Sequence, residues 1–287
     1  MNLRDYDTSR TYEAVVKETE RITPGDSDVE VRHLLLEVAD PTFHFIEGQS
    51  IGVLIPGPHE FGNENHMRLY SIASSREGEG NAARFSLCVR RCFYIDEVNG
   101  ERYPGVASNF LCDRRVGDTI TLTGPYGRHF VVPRDENTNL LMIGNGTGIA
   151  PFRAFVKHIY EERGGWKGKV RLFYGAQTGM ELLYMNDVKN DFTNYYDDAT
   201  FKAFEAVSPR GHFADVPEEL DKAIEARGQE VWEMIQEPNT FVYVSGLERV
   251  RDELEKVMTK MAGSEEAWKQ VKDGLVAEHR WSELYYR

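Results

Sequence analysis

The chain has 287 residues, 41% of them hydrophobic and 28% charged, a length that favours two domains and a composition ordinary for a globular protein. Its formal net charge of −13 argues against broad nucleic-acid binding, which depends on neutralising phosphates. Three cysteines, Cys88, Cys92 and Cys112, are too few for an iron–sulfur cluster held entirely by thiolates; without CxxC spacing they point to a reducing, cytoplasmic compartment.

The N-terminal stretch MNLRDYDTSR is too polar for a secretory signal, and no apolar run suggests membrane insertion. From there to about residue 135 the chain has the period of strands. Tyr12, Ala14 and Val16 alternate with polar residues, and FHFIEGQSIGVLIPG (43–57) bends at its glycines. RFSLCVRRCFYI (84–95) is rich in β-formers, DTITLTGPYG (118–127) alternates before a turn, and polar loops such as REGEGNAA separate the runs. Short strands at such spacing predict an antiparallel barrel or sandwich. Within RLYSIASS (68–75), alternation predicts Arg68 and Tyr70 on one face and Ser71 on the other. That set suits an aromatic cofactor with a phosphate tail: arginine for phosphate, tyrosine for stacking or a hydroxyl contact, serine for a polar ring atom. An ordinary strand with one exposed arginine fits the same letters.

After Pro133 the rhythm changes, which places a boundary in PRDENT and domains at 1–135 and 136–287. NLLMIG (139–144) is a short apolar strand leading into GNGTGIAPF (144–152), where Gly144, Gly146 and Gly148 allow a tight turn and close approach of a ligand. Pro151 suits a first helical turn, and the helix N-terminus offers free N–H groups to phosphate. The spacing is GxGxG rather than GxGxxG, so the turn also reads as purely structural. A helical stripe follows at Phe152, Phe155, Val156 and Ile159. VRLFYGAQ (170–177) and NTFVYVSG (239–246) are further buried strands, the latter followed by a helix with Val250, Leu254, Val257, Met258 and Met261 on one face. Strands alternating with helices predict a parallel, doubly wound sheet. The histidines lack HExxH or paired spacing and no GxSxG elbow occurs, so neither a metal site nor a serine hydrolase is expected. The sequence closes on RWSELYYR, with three aromatic rings in seven residues.

EGQSIGV (47–53), RLYSIASS, SLCVRR (86–91), GVASNFLCD (105–113), LTGPYG (122–127), GNGTGIAPFRAF (144–155), YGAQT (174–178), YVSGL (243–247) and the aromatic end occur in one order. In that order the chain resembles the plant-type branch of the ferredoxin–NADP⁺ reductase family from about residue 10 onward. The resemblance implies an all-β antiparallel FAD-binding barrel followed by an α/β parallel-sheet NADP-binding domain, with the aromatic tail over the flavin. It implies a flavoprotein that exchanges hydride with NADPH and single electrons with a ferredoxin-like carrier.

Carried over by motif, Arg68, Leu69, Tyr70 and Ser71 would bind FAD, with Ser71 near flavin N5. Cys88, Val89 and Arg90 would line the flavin or its diphosphate, Tyr94 would stack on adenine, and Gly105, Val106, Ala107 and Ser108 would cradle the pyrophosphate. Thr147 is implied at both cofactors. Gly146, Gly148, Ser208, Arg210, Ser245, Gly246 and Leu247 would hold NADP, and Ser71, Ser245, Glu283 and Tyr285 would serve catalysis. Allowing one extra residue before Trp281 puts Glu283 on the family's glutamate and Tyr285 on its flavin-covering tyrosine; an ungapped count selects Tyr286 instead, and the gapped alignment is preferred because it keeps the glutamate matched.

Four departures stand out. Ser245 replaces a usual cysteine near the nicotinamide, Asn145 replaces a threonine, and a proline separates Ser208 from Arg210 without the family's Lys-x-Tyr companion. FGNENHM and DGLVAEH carry little of the positive charge that docks acidic ferredoxins, which leaves Arg90–Arg91 and Arg114–Arg115 for that purpose. CFYIDEVNGERYPG and TGMELLYMND are similar to the reductase part of aerobic benzoyl-coenzyme A epoxidases. An NADH-dependent reductase component of an oxygenase or epoxidase, and a nucleotide-binding electron-transfer subunit of a larger complex, are therefore the competing expectations.

Overall fold

The computed structural model describes residues 6–57, 65–76, 82–96, 98–127, 130–195, 200–207 and 220–286. The chain divides into two compact units. The first extends to Val131 and takes in Arg153–Phe155; the second is formed by the remainder.

The first unit is built from β1 (Thr11–Arg21), β2 (Val31–Val38), β3 (Ser50–Pro56), β4 (Asn65–Ser71), β5 (Ala83–Arg90), β6 (Phe93–Ile95), β7 (Arg102–Pro104), helix α1 (Val106–Cys112) and β8 (Thr119–Tyr126). Six strands form one sheet in the order β4-β3-β8-β1-β2-β5, and every pairing is antiparallel. A bridge between Ile72 and Leu87, with Ala73 N–H donating to the Ser86 carbonyl at 2.8 Å, joins the two outer strands and closes the sheet into a barrel. The alternation along β1 has its expected result: Tyr12, Ala14 and Val16 point inward while Thr11, Glu13 and Val15 face out. Ala14, Val16, Leu34, Leu36, Val53, Phe85, Leu87 and Leu122 fill the interior. Each large aliphatic side chain buried there contributes about 1.5–3 kcal/mol. Helix α1 interrupts what the periodicity predicts to be all strand. Ala107, Ser108, Leu111 and Cys112 form its buried side, laid on β3, β4 and β5.

The second unit contains β9 (Asn139–Asn145), α2 (Ile149–Lys157) apart from Arg153–Phe155, β10 (Val170–Ala176), β11 (Phe201–Val207), α3 (Leu220–Glu225), α4 (Gly228–Gln236), β12 (Thr240–Leu247), α5 (Glu248–Ala262), α6 (Glu265–Ala277) and β13 (Trp281–Tyr286). The sheet order is β11-β10-β9-β12-β13, all parallel. Every residue of β9 and β10 is buried, which explains their continuous apolar runs. Leu141, Ile143, Val242 and Val244 share a core with Ile224, Val231, Leu254, Val257, Met258, Trp268 and Trp281. The fold class is the one the sequence predicts, an antiparallel barrel followed by a parallel α/β unit. Strands β2, β7, β11 and β13 and helices α3, α4 and α6 have no counterpart among the elements that periodicity predicts. Among the described residues, no helix is long and apolar enough to cross a membrane.

Candidate functional site

In the first unit the predicted residues gather where β4 and β5 meet. Arg68 is exposed opposite Val53, and Ser71 lies opposite Ser50 with their hydroxyls 3.4 Å apart. Leu69 is half-buried opposite Gly52. Tyr70 packs against the barrel core, and burial pushes its phenol well above the usual range, so the group stays protonated and able to donate. Across the Ile72–Leu87 bridge follow Cys88, Val89 and Arg90. Val89 spends its side chain in the barrel core, so it can offer a ligand only its backbone. Arg90 is exposed, and the ring of Tyr94 is 52% exposed on β6.

Gly105–Ser108 form the start of α1, and this loop is stitched to Cys92. Gly105 N–H donates to the Cys92 carbonyl at 2.9 Å, and Cys92 N–H donates to Ser108 Oγ at 3.1 Å. Ser108 Oγ in turn donates to the Gly105 carbonyl at 3.3 Å. The expected cradle is thus shaped by Gly105 and the Ser108 hydroxyl from within the chain, which leaves the N–H groups of Val106, Ala107 and Ser108 for a ligand. Arg91 fixes the other side of this corner. It pairs with Glu30 at 2.7 Å and Asp113 at 2.8 Å and donates to Asn109 Oδ1 at 2.9 Å. Arg114 lies over the Phe110 ring at 4.3 Å and 3.8 Å from Asp118. Two of the four arginines expected to offer docking charge are therefore engaged internally, because folding brings carboxylates beside them, whereas Arg90 and Arg115 are exposed. Burial raises the Cys112 thiol to about 12, and no disulfide joins any of the three cysteines.

In the second unit, β9 ends at the glycine turn and β12 runs beside it. The three glycines have different jobs. A Cβ on Gly144 would stand 2.5 Å from the Ser245 carbonyl oxygen, and one on Gly148 2.2 Å from the same atom. These two glycines let the turn press against β12. Gly146 has φ +51° with open space around it, and its carbonyl accepts from Tyr174 Oη at 2.8 Å. Asn145, a minor exchange by its sequence alone, latches the two strands: its Oδ1 accepts from Leu247 N–H at 3.1 Å. Gly246 is required beneath it, since a Cβ there would lie 2.3 Å from Asn145 Oδ1. Ser245 is fully buried, and its Oγ has no hydrogen-bond partner among the described residues. Gly146, Thr147, Gly148, Ser245, Gly246 and Leu247 are thus brought together. Ser208 and Arg210 lie outside the described residues.

Strand β13 sets the two tyrosines of the aromatic end in different surroundings. Side chains alternate across a strand, so Trp281, Glu283 and Tyr285 take one face and Ser282, Leu284 and Tyr286 the other. Tyr285 packs onto the helix-covered core with the Arg251 guanidinium 5.8 Å from its ring centre, and burial raises its phenol above the usual range. Tyr286 lies at the glycine turn instead. Thr147 Oγ1 donates to Tyr286 Oη at 3.0 Å, and Tyr286 Oη donates to the Asn145 carbonyl at 3.3 Å. Glu283 is bound to Lys272 at 2.7 Å and accepts from Trp281 Nε1 at 2.5 Å, on the face away from Tyr286. Matching the glutamate and lying at the glycine turn thus single out different tyrosines. Recognising RWSELYY as a strand would have revealed this from its period of two, since Trp281 and Tyr285 share a face.

Two family models match the chain: "Oxidoreductase FAD-binding domain" over residues 13–130 and "Oxidoreductase NAD-binding domain" over residues 142–267. The ferredoxin–NADP reductase of a Spirulina species is 33% identical over 259 residues, covering 88% of this chain and 87% of that protein. The chloroplastic leaf isozyme 1 of ferredoxin–NADP reductase from Arabidopsis thaliana is 35% identical over 276 residues, covering 93% of this chain and 74% of its own length. The ferredoxin–NADP⁺ reductase structure from Plasmodium falciparum superposes with a TM-score of 0.73 over 98% of both chains, at 24% identity, a likeness of fold. With both domains matched and relatives this similar over most of their length, the chain belongs to the ferredoxin–NADP reductase family.

Proposed function

We propose that this protein is an FAD-dependent reductase that uses NADPH and exchanges electrons with a ferredoxin-type carrier. The observation that carries the reading is the kinship itself: similarity to ferredoxin–NADP reductases runs through the barrel and the α/β unit alike. FAD supplies the chemistry, exchanging a hydride with the nicotinamide and single electrons with the carrier.

The residues present suit both groups. In domain 1–135, Arg68 and Arg90 offer exposed guanidinium groups to a diphosphate. Tyr70 donates from a phenol that stays protonated, Leu69 and Ser71 extend the same strand along the ring, and Cys88 and Val89 line it from β5. Tyr94 presents an open ring to adenine, and Val106, Ala107 and Ser108, behind Gly105, present backbone N–H groups to phosphate. In domain 136–287, Gly146, Thr147 and Gly148 hold the dinucleotide at the start of α2, with Ser245, Gly246 and Leu247 beside them. The unpaired Ser245 hydroxyl is a ready partner for a nicotinamide amide. Ser208 and Arg210 are assigned to the 2′-phosphate. Tyr286, bonded to Thr147, is the ring that competes with nicotinamide for this turn, and Glu283 acts on it indirectly by holding β13 to α6.

Of the four arginines considered for docking, Arg115 is exposed and unclaimed by the cofactor and is assigned to an acidic carrier, with Arg90 adding to the same field where the diphosphate does not neutralise it. Three cysteines in thiol form fit a reducing compartment, and we assign the protein to the cytoplasm. NADPH-driven cytochrome c reduction, measured with and without added ferredoxin, tests the activity. Ferredoxin should raise the rate severalfold, and the gain should fall as salt is added. A rate indifferent to ferredoxin would overturn the assignment of the carrier; a ferredoxin effect indifferent to salt would remove the arginines from it.

A further inference from the structure

The ribbon of β6 and β7 exposes three large apolar side chains in a row, two of them aromatic. Phe93, Tyr94 and Ile95 are 44%, 52% and 69% exposed. A two-stranded ribbon is only marginally stable in water, so exposed rings on it call for a reason. Tyr94 and Tyr103 are directly opposed across the ribbon, and their rings stack with centroids 5.5 Å apart and planes 22° from parallel. Tyr103 is held in turn. Its Oη donates to Glu101 Oε2 at 2.6 Å and accepts from Asn99 Nδ2 at 3.1 Å. Asn99 Oδ1 accepts from Glu101 N–H at 2.8 Å, and Asp96 Oδ1 accepts from the N–H groups of Val98 and Asn99 at 2.8 and 3.1 Å. A chain of contacts thus runs from the turn to Tyr103 and from Tyr103 to one face of Tyr94.

We propose that Tyr103 is a positioning residue for FAD: it backs Tyr94 so that adenine adds as the third ring of a stack already two rings deep. The inference rests on reading Tyr94 as the adenine contact. An unsupported tyrosine on an exposed ribbon samples several rotamers, and a base that stacks on it must order the ring. Stacking on Tyr103 orders it beforehand, which is preorganisation of the binding surface. Parallel-displaced rings also attract one another beyond the area they bury. Tyr103 acts through Tyr94 and touches no reacting atom.

The test is the affinity of the deflavinated protein for FAD, read by flavin fluorescence, in Tyr94→Leu, Tyr103→Leu, Tyr103→Phe and the double leucine variant. FMN, which lacks the adenine half, serves as the second probe. Tyr103→Leu should weaken FAD roughly three- to tenfold. Tyr103→Phe, which keeps the ring, should stay within about twofold of the parent. The double variant should bind FAD no more weakly than Tyr94→Leu alone, because Tyr103 has no route to adenine except Tyr94. FMN affinity should not change in any of them. Weakening by Tyr94→Leu without any by Tyr103→Leu would sink the inference and leave the adenine reading intact. No weakening by Tyr94→Leu would remove the adenine reading and the inference with it. Losses that add in the double variant, or that FMN shares, would assign Tyr103 to the folding of the ribbon and overturn the proposal.

Discussion

Adjacent tyrosines on β13 face opposite ways, and this decides what each substitution should do. Tyr286→Ser removes the ring bonded to Thr147 and should tighten NADP⁺ binding by on the order of tenfold while narrowing the preference for NADPH over NADH. Tyr285→Ser removes a ring packed against the α5–α6 core, so it should lower stability by about 1–3 kcal/mol and leave nicotinamide affinity unchanged. Equilibrium nucleotide binding and thermal denaturation of the two variants separate these outcomes, and the reverse pattern would restore Tyr285 to the site. At this scale the sequence revealed residue types better than their partners. Ser245 and the glycine turn stood out in a motif, but the latch made by Asn145 Oδ1 on Leu247 joins residues 102 apart and leaves no local signature. The commitment of Arg91 to Glu30, 61 residues away, is hidden for the same reason.

Among the described residues, strand β13 is an edge strand paired only with β12, and its outer part needs a second fastening. Lys272 supplies it by bridging Glu255 at 2.6 Å and Glu283 at 2.7 Å, while the indoles of Trp268 and Trp281 donate to the same two carboxylates. Burial works against the ammonium, but the two carboxylates hold its pKa above the usual lysine value. Lys272→Met should cost roughly 1–2 kcal/mol after solvent screening and shift NADP⁺ affinity in the direction of Tyr286→Ser but less far. Lys272→Arg should restore both; affinity unmoved by the methionine would make the fastening purely structural. Helix α1 depends on a comparable contact. Burial alone would raise Glu30, but hydrogen bonds from Arg91 and Arg32 hold it below the usual glutamate range. Because its folded pKa is depressed, Glu30 contributes stability in full above the unfolded value, and the contribution is lost as pH falls through the lower folded value. Denaturant titrations between neutral pH and about pH 4 should show part of the acid loss of stability disappear in Glu30→Gln. Equal pH slopes in the two proteins would contradict this. Strands with clean alternation, β1 above all, were legible in advance. Helix α1 and strand β13 were not, because each is short and its burial pattern is set by the element it lies on.

At the scale of the whole molecule, the order of the motifs carried more than any one of them. A GxGxG turn is ambiguous alone, yet behind an antiparallel barrel with RLYSIASS and GVASNFLCD it belongs to one family, and the matched domains and relatives bear that out. The net charge of −13 gave no hint of an anionic ligand, since the cations proposed to meet it are a few exposed arginines on an acidic body. The central claim is that the protein is an NADPH-dependent flavoenzyme. The most direct test is an anaerobic titration of the purified protein with NADPH and, separately, NADH, following the visible flavin bands. Bound FAD should bleach with about one equivalent of NADPH and far more slowly with NADH. A folded protein that takes up no FAD, or one that is reduced preferentially by NADH, would contradict it.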